Sequence, residues 1–511
     1  MNKVRQQTAK NLFVSSISLS LSLSAATASQ PIMAEAMTTP FVSPVFSATS
    51  RADDAQFLKV RRTSEENSPR FTFQHHLDRN GCCVTLPKET VVIQPEKIAT
   101  HPLFFFELLK QKWSQLAMLR KPVQANTVIE LLLPKRETKL LGKLPALFME
   151  TDINRDGIGK SDLVWFPYQH QVTQGRENTA INSKGLKAQF TFTDQLESLT
   201  TELNLLGFTA EEMTGKGALS LGETTFSGAF DADLMPTQMR LNVPTFKFYT
   251  HDRYDDVAWH LQDFAFNTNV TTTGTGLKLV EVDAQVEHFD FRNKESKFSL
   301  DHLKVKNDID EQGDVINNTV QTEIGKLHLP SALTAGEEVI VSYVGHLAIR
   351  RLDAEALSAL QTTAHQLYKQ NDDPRRLMEM NSKFMEILPQ FLAKSPEIAL
   401  TELTVTTSKG TLQGRASARI NGKKVTSLEM PLALIGALQA QAEFSIDKTL
   451  LEQMLMMVEN QSPREARVFR EKIKMFVALK WLIKTDASYK AAASFKNGQL
   501  TVNGQKIPLP F

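Results

Sequence analysis
The chain has 511 residues with 58 Lys and Arg against 57 Asp and Glu, a formal net charge of +1. That balance excludes nucleic acid as a partner, which needs a cationic excess to neutralise phosphates. Hydrophobic residues at 41% and charged residues at 23% supply a real core and exclude a largely disordered chain.

Lys3, Arg5 and Lys10 precede an apolar run from Leu12 to Leu23, and Ala26-Thr27-Ala28 closes it with small residues. This is the pattern of a cleaved secretory signal peptide over residues 1–28. The alternative is an inner-membrane anchor through residues 11–28. A stable span needs about 20 mostly apolar residues, and from Ser18 to Ser24 every second residue is serine, which favours cleavage. Removing residues 1–28 takes away three cations and no anion, leaving a formal charge of −2. The expected location is the periplasm or cell envelope. The only cysteines, Cys82 and Cys83, are adjacent, and a bond between neighbours closes a strained ring, so they read as two thiols.

Residues 29–70, rich in Ser, Thr, Ala and Pro, read as a mobile spacer. A divergent segment follows over 71–124. Within it Phe104, Leu108, Leu109, Trp113 and Leu116 recur at helical spacing. From about Asn126 the chain turns to strands, most clearly Phe246 to Tyr249, Val257 to Phe266, Leu277 to Phe291, Phe298 to Val305 and Val339 to Ile349. In one of them Val280, Val282, Ala284 and Val286 alternate with Glu281, Asp283, Gln285 and Glu287, which places an apolar and a wet face on one sheet. No β-then-helix alternation argues for a parallel sheet. Asp353 caps a helix over Ala354 to Tyr368, and Asp373-Pro374 opens another with a stripe through Leu377, Phe384, Ile387 and Phe391. Thr401 to Ile420 reads as strand, reversing at Asn421-Gly422 into Val425 to Phe444. Asp447 caps a helix with Leu450, Leu451, Met454 and Leu455. Ser462-Pro463-Arg464-Glu465 is a capping box for a second helix reaching about Lys484. Tyr489 to Phe495 and Gln499 to Val502 form a last hairpin about Asn497-Gly498. The expected fold is α+β and mostly β: an elongated antiparallel sheet built of hairpins, with helices near residues 354–392 and 448–484.

The closing string Asn497-Gly498-Gln499-Leu500-Thr501-Val502-Asn503-Gly504, with Ile507-Pro508-Leu509, resembles that of the YdgA-like family of Gram-negative envelope proteins. Leu403 to Gly410, Leu352 to Leu357 and Thr138 to Gly142 are similar to further stretches of it, so the resemblance spans residues 125–511. It implies an exported, envelope-resident, strand-rich protein without an assigned enzymatic activity, in a family where membrane anchors and homo-oligomers occur. The matching motifs are turns and caps and carry no chemistry.

Asp152, Asn154 and Asp156, followed by Gly157, repeat the first half of a calcium loop, which needs six to eight oxygens. The second half departs: Lys160 stands at position 9 and Leu163 replaces the bidentate acid, leaving Asp162 to complete a non-standard site. The competing reading is a hairpin turn at Asn154-Arg155-Asp156-Gly157. His251 to Asp256, with His260 beyond, suggests a metal site or a polar loop between strands. His288 and Asp290 share a strand face without a nucleophile nominated beside them. His75-His76 reads as surface. No nucleophile elbow, zinc-protease helix, phosphate loop or paired Cys-x-x-Cys occurs. Met454 to Met457 and Phe104 to Phe106 read as core rather than ligand contacts.

The expected function is a non-enzymatic binding or scaffold protein of the envelope, offering an apolar sheet face to lipid or to a protein partner, with self-association as a further mode. The alternatives are an exported hydrolase without a sequence signature and a module stabilised by Ca²⁺, with no other cofactor expected.

Overall fold
The computed structural model describes residues 68–508 except 80–81, 94–103, 120, 175–176, 194–195, 252–255, 295–296, 330–338, 370–375 and 426–434. The leader, its cleavage site and nearly all of the spacer lie outside the described residues. Strand accounts for 60% and helix for 21%, so the mostly β, antiparallel class expected from the sequence holds. The described chain divides into two compact units between Thr268 and Asn269.

The N-terminal unit begins with β1 (Arg70–Arg79), β2 (Cys82–Thr85), β3 (Glu89–Val92), α1 (Phe104–Ala117), β4 (Val123–Leu132), α2 (Lys135–Leu141), β5 (Leu147–Ile153) and β6 (Gly159–Trp165). It continues through β7 (Tyr168–Gln174), β8 (Glu177–Ser183), β9 (Leu186–Phe192), β10 (Ser198–Leu205), β11 (Phe208–Glu212), β12 (Gly217–Leu221), β13 (Thr224–Asp231) and β14 (Pro236–His251). Strand β15 (Asp256–Thr272) contains the division between units.

Sequence places the helix α1 directly: 14 residues without Gly or Pro, with Leu108, Leu109, Lys112, Trp113 and Leu116 on its buried side. That stripe lies on the apolar face of the sheet. Trp113 is fully buried, its ring 5.0 Å from both Phe190 and Phe192, in one core with Phe73, Ile129, Met149, Leu163 and Leu199. The segment before residue 125 therefore shares its core with the strands after it. Lys112, 2% exposed, is tolerated on this side because its ammonium pairs with Glu89 and sits 5.3 Å over the Phe73 ring.

Strands β6 to β13 were the least legible, because each arm of the meander is broken in the middle. β6 and β7 separate at Phe166-Pro167, β8 and β9 at Lys184-Gly185, β10 and β11 at Leu206-Gly207, and β12 and β13 at Gly222-Glu223. The breaks line up: Lys184 N donates to Gly207 O at 3.0 Å and Leu206 N to Gly185 O at 3.0 Å. Gly185 holds φ at 101°, and a Cβ there would stand 2.5 Å from the Trp165 carbonyl oxygen, so glycine is required at this corner.

His75 is buried rather than at the surface, with Nδ1 2.8 Å from Thr127 Oγ1. Burial is the main reason its pKa falls below the ordinary 6.5. The folded unit thus favours neutral imidazole. Its contribution to stability is complete above pH 6.5 and is lost as pH falls from there through the lowered folded value. We expect urea midpoints to decline between about pH 7.5 and about pH 5, with a flatter decline for His75→Gln. Equal slopes would remove His75 as the cause.

The C-terminal unit contains β16 (Lys278–Arg292), β17 (Lys297–Gln312), β18 (Val315–Leu329), β19 (Val339–Asp353), α3 (Ala354–Lys369), α4 (Arg376–Ala393), β20 (Glu397–Thr407), β21 (Gly410–Ile420) and β22 (Leu438–Asp447). After these come α5 (Lys448–Gln461), α6 (Pro463–Ala478), β23 (Ile483–Lys484), β24 (Ser488–Lys496), β25 (Gln499–Val502) and β26 (Gln505–Ile507). Asp353 caps α3 as expected, Oδ1 accepting from Ala356 N at 2.8 Å. Only half of the capping box forms: Ser462 Oγ accepts from Glu465 N at 3.4 Å, while Ser462 N donates to Val458 O at 2.7 Å. Asp373 and Pro374 lie outside the described residues.

Three local expectations are corrected. Asp447 precedes α5, but its Oδ2 accepts from Thr411 N at 2.8 Å instead of capping the helix. Helix α6 ends at Ala478, short of Lys484, where Lys480 turns to φ 56° and Trp481 N bonds back to Phe476 O at 2.8 Å. The two Asn-Gly pairs diverge. Asn497 and Gly498 hold φ of 53° and 72°, as a two-residue hairpin requires. Asn421 is extended at φ −79°, opening a single turn at Gly422–Lys424 rather than a two-residue hairpin; residues 426–434 lie outside the described residues, and the strand that pairs with β21 is Leu438–Asp447. Gly422 is held against the end of α4: its N–H donates to Ser395 Oγ at 3.0 Å, and a Cβ would lie 2.1 Å from Leu392 O. Gly422→Ala is therefore expected to cost about 1–3 kcal/mol by overpacking, read as a lowered melting temperature. An unchanged melt would show that the approach is looser.

Candidate binding face
The alternation read at Val280 to Val286 continues across the whole C-terminal sheet. Val286 stands opposite Leu303, Leu303 opposite Ile324, Ile324 opposite Tyr343, Tyr343 opposite Val405, and Val405 opposite Leu412. A second row runs Ala284, Val305, Thr322, Gly345, Leu403, Gly414 and Phe444. The opposite face carries Asp283 against Lys306, Gln285 against Lys304, and Lys304 against Glu323, all exposed.

Irregularities keep the apolar side chains together. Tyr343 and Val341, two residues apart, share a face, yet their partners Ile324 and Leu327 are three apart, the extra residue being taken up by a bulge. The same three-residue step separates Leu303 from Leu300 and Val286 from Phe289, with His302 at φ 55° between the former pair. Without that slip every residue beyond it would change face.

Cover is partial. Helices α5 and α6 seat Leu450, Leu451, Ile473 and Val477 on Ile446 and Tyr489, closing the β22–β24 end of the row. Helices α3 and α4 cover the other end of the sheet: Ala354 and Leu357 pack with Leu277, Leu279 and Ile316, and Ala356, Ile387 and Phe391 with Leu352. Val280, Val282 and Val320 on this face are at most 5% exposed, whereas between the two helix-covered ends Val286, Leu303, Val305, Ile324, Leu347, Leu403 and Val405 are only half-buried. The comparison within the same molecule is informative: under α1, Leu163, Phe190, Phe192 and Leu199 are at most 2% exposed. Side chains on a sheet reach such values when a second layer lies on them. The open part measures roughly 20 Å by 20 Å, or about 400 Å², within the roughly 300–600 Å² of the largest apolar patch on a typical monomer, a patch that is often functional. Tyr343 lies in it, and burial raises its phenol above the ordinary value of 10.0.

The other candidate residues are placed as follows. Asn154 to Ile158 form the turn of the β5–β6 hairpin: Asn154 N donates to Ile158 O at 3.0 Å, and Asn154 Oδ1 accepts from Ile158 N at 2.9 Å. Asp152 stands opposite Lys160, while Asp162 stands opposite Glu150 and takes Gln189 Nε2 at 2.8 Å and Lys160 Nζ at 3.2 Å. Among the described residues, the carboxylates of Asp152, Asp156 and Asp162 do not gather within 4.8 Å of one another. Asp162 instead belongs to a register row with Gln189, Glu202, Ser227 and Arg240, which lines a trough of about 680 Å³ in the N-terminal unit together with apolar side chains such as Val164, Leu203 and Phe226. No sequence spacing reveals that row, since its members come from five strands.

His251 and Asp256 face each other across 3.5 Å at the ends of β14 and β15, and His260 lies within β15; residues 252–255 are outside the described residues. His288 turns Nδ1 to Asp301 at 2.6 Å and Nε2 to Asp290 at 3.4 Å, so both ring nitrogens face carboxylates rather than a hydroxyl to be activated. Cys83 is an exposed free thiol. Leu455 is buried, but Met454 and Met456 are 43% and 52% exposed, so that helix is not wholly core. No helix among the described residues is long and apolar enough to cross a membrane.

A family model described as "Bacterial protein of unknown function (DUF945)" matches residues 113–510. No curated protein and no solved structure matches the chain.

Proposed function
The chain belongs to the bacterial family of unknown function DUF945, and from that premise we propose that it is an exported envelope protein that holds lipid acyl chains on the open face of its C-terminal sheet, without catalysis. The observation that carries this reading is the contrast in cover: the Leu303–Ile324–Val405 face is half-buried while the comparable face under α1 is sealed. Acyl chains fit because the face is a flat field of aliphatic side chains that asks no hydrogen bonds of its occupant. The positive leader with its Ala26-Thr27-Ala28 site supports export, as does the resemblance of the closing motif to YdgA-like envelope proteins.

The test is expression of the full-length gene in a Gram-negative host, envelope fractionation and native mass spectrometry of the purified protein. The reading expects a species in the envelope fraction carrying reproducible adducts of phospholipid or fatty-acid mass. An adduct-free species that co-purifies with a stoichiometric protein would replace acyl chains with a protein partner.

A further inference from the structure
The helical hairpin α5–α6 concentrates exposed apolar surface as no other part of the described chain does. Of the large hydrophobic residues at the surface, Met454, Met456, Val468, Phe469, Met475, Leu479 and Ile483 fall within 30 residues of one another. Helix α6 explains why they are outside. Its inward side is spent on the sheet, with Ala466 fully buried and Ile473 and Val477 packed on the Ile446–Tyr489 core. Val468, Met475 and Leu479 recur at steps of seven and four, so they form a second stripe on the opposite side of the helix. They are 47%, 48% and 44% exposed, and Phe469 beside them is 50% exposed.

The charge around this stripe is one-sided. From Pro463 to Lys484 there are seven cations and two anions, in a chain whose total is nearly balanced. Arg470 is taken up by Glu459 at 2.8 Å and Lys474 by Glu471 at 3.1 Å. Arg464, Arg467, Lys472, Lys480 and Lys484 are exposed around the apolar side chains. A nucleic acid would satisfy the cations and leave the stripe in water. A protein groove would bury the stripe but has no reason to meet so many cations. An anionic bilayer surface satisfies both, since apolar side chains enter the acyl boundary while Lys and Arg stay at the headgroups.

We propose that the outer side of α6 is a membrane-surface docking element for anionic phospholipid, lying in the interface plane. The helix spans 16 residues, roughly 24 Å of contact length, and it does not cross the bilayer. The occupant of the sheet face is a separate matter, because none of these side chains belongs to that wall.

The test is flotation of the full-length protein with vesicles of equimolar phosphatidylglycerol and phosphatidylcholine, against phosphatidylcholine alone. Binding is expected to the anionic vesicles and to weaken when salt rises from about 0.1 M to about 0.5 M. Arg464→Gln, Arg467→Gln and Lys472→Gln together should reduce partitioning about 100-fold, at roughly five-fold per cation near an anionic surface. Val468→Ser with Phe469→Ser should reduce it at least about ten-fold. Both sites are exposed, so melting temperatures should match the parent, and any variant that melts early is replaced by Met475→Ser with Leu479→Ser. Every arm carries the same residues 1–28, so binding through the leader would leave the arms equal and overturn the proposal. Equal partitioning to both vesicle types, or release of the protein from anionic vesicles by duplex DNA at stoichiometric amounts, would also overturn it.

Discussion

Leu303→Lys combined with Val405→Lys is expected to strip apolar adducts from the purified protein while changing its unfolding free energy by no more than about 1 kcal/mol. The two sites are on the same row of the C-terminal sheet, separated by Ile324 and Tyr343, so the new cations do not face each other directly. On an open face each lysine extends its ammonium into water, and the cost is small. Two charges in the middle of the row, however, make the face hostile to acyl chains. The control is Leu163→Lys, on β6 beneath α1 at 2% exposure. No partner awaits the ammonium there, so several kcal/mol are lost, enough to unfold a unit of ordinary stability. Urea titration of both variants, with native mass spectrometry of the first, separates the cases. A double variant that collapses like Leu163→Lys would mean the face is covered, and the acyl-chain reading would fail.

Trp113→Ala should be the most damaging truncation in the N-terminal unit, at about 3–5 kcal/mol. The indole is fully buried, stacked against Phe192 and tilted against Phe190, and it joins α1 to several strands at once. Trp113→Phe should cost clearly less than Trp113→Ala. The ring stack survives, and the indole Nε1, which finds no hydrogen-bond acceptor, is removed with its desolvation penalty. Unfolding followed by circular dichroism gives both numbers. A loss below about 1 kcal/mol for Trp113→Ala would show that the helix is not the central support of that unit.

A feature is legible in the sequence when a short window contains all that determines it. Helix α1, helix α3 with its Asp353 cap, the Ser462 N-cap and the Asn497-Gly498 hairpin are legible because every determinant lies within a few residues. The wet and apolar faces at Val280 to Val286 were legible for the same reason, since strand alternation has a period of two. Asn421-Gly422 was misread because its signal is ambiguous locally. The glycine answers to the carbonyls of Leu392 and Ala393, about thirty residues earlier. The burial of His75 is not legible locally, because its contact with Thr127 comes from 52 residues away.

By itself, then, the sequence determined the antiparallel and mostly β class, the places of α1 and of α3 to α6, and the existence of one apolar sheet face. Those properties follow from local periodicity, capping and turn chemistry, which each segment carries with it. Only the tertiary structure decided which apolar faces are sealed and which stay open, since cover comes from elements remote in sequence. α1 seals the strands beneath it, α5 and α6 close the β22–β24 end of the apolar rows, α3 closes the Leu277–Ile316 end, and the side chains between are left half-buried. The same holds for the polar row through Asp162, Gln189, Glu202, Ser227 and Arg240, which pairing register assembles from five strands. Register and cover are long-range quantities, and the free energy that selects them is gained only when the whole sheet is in place.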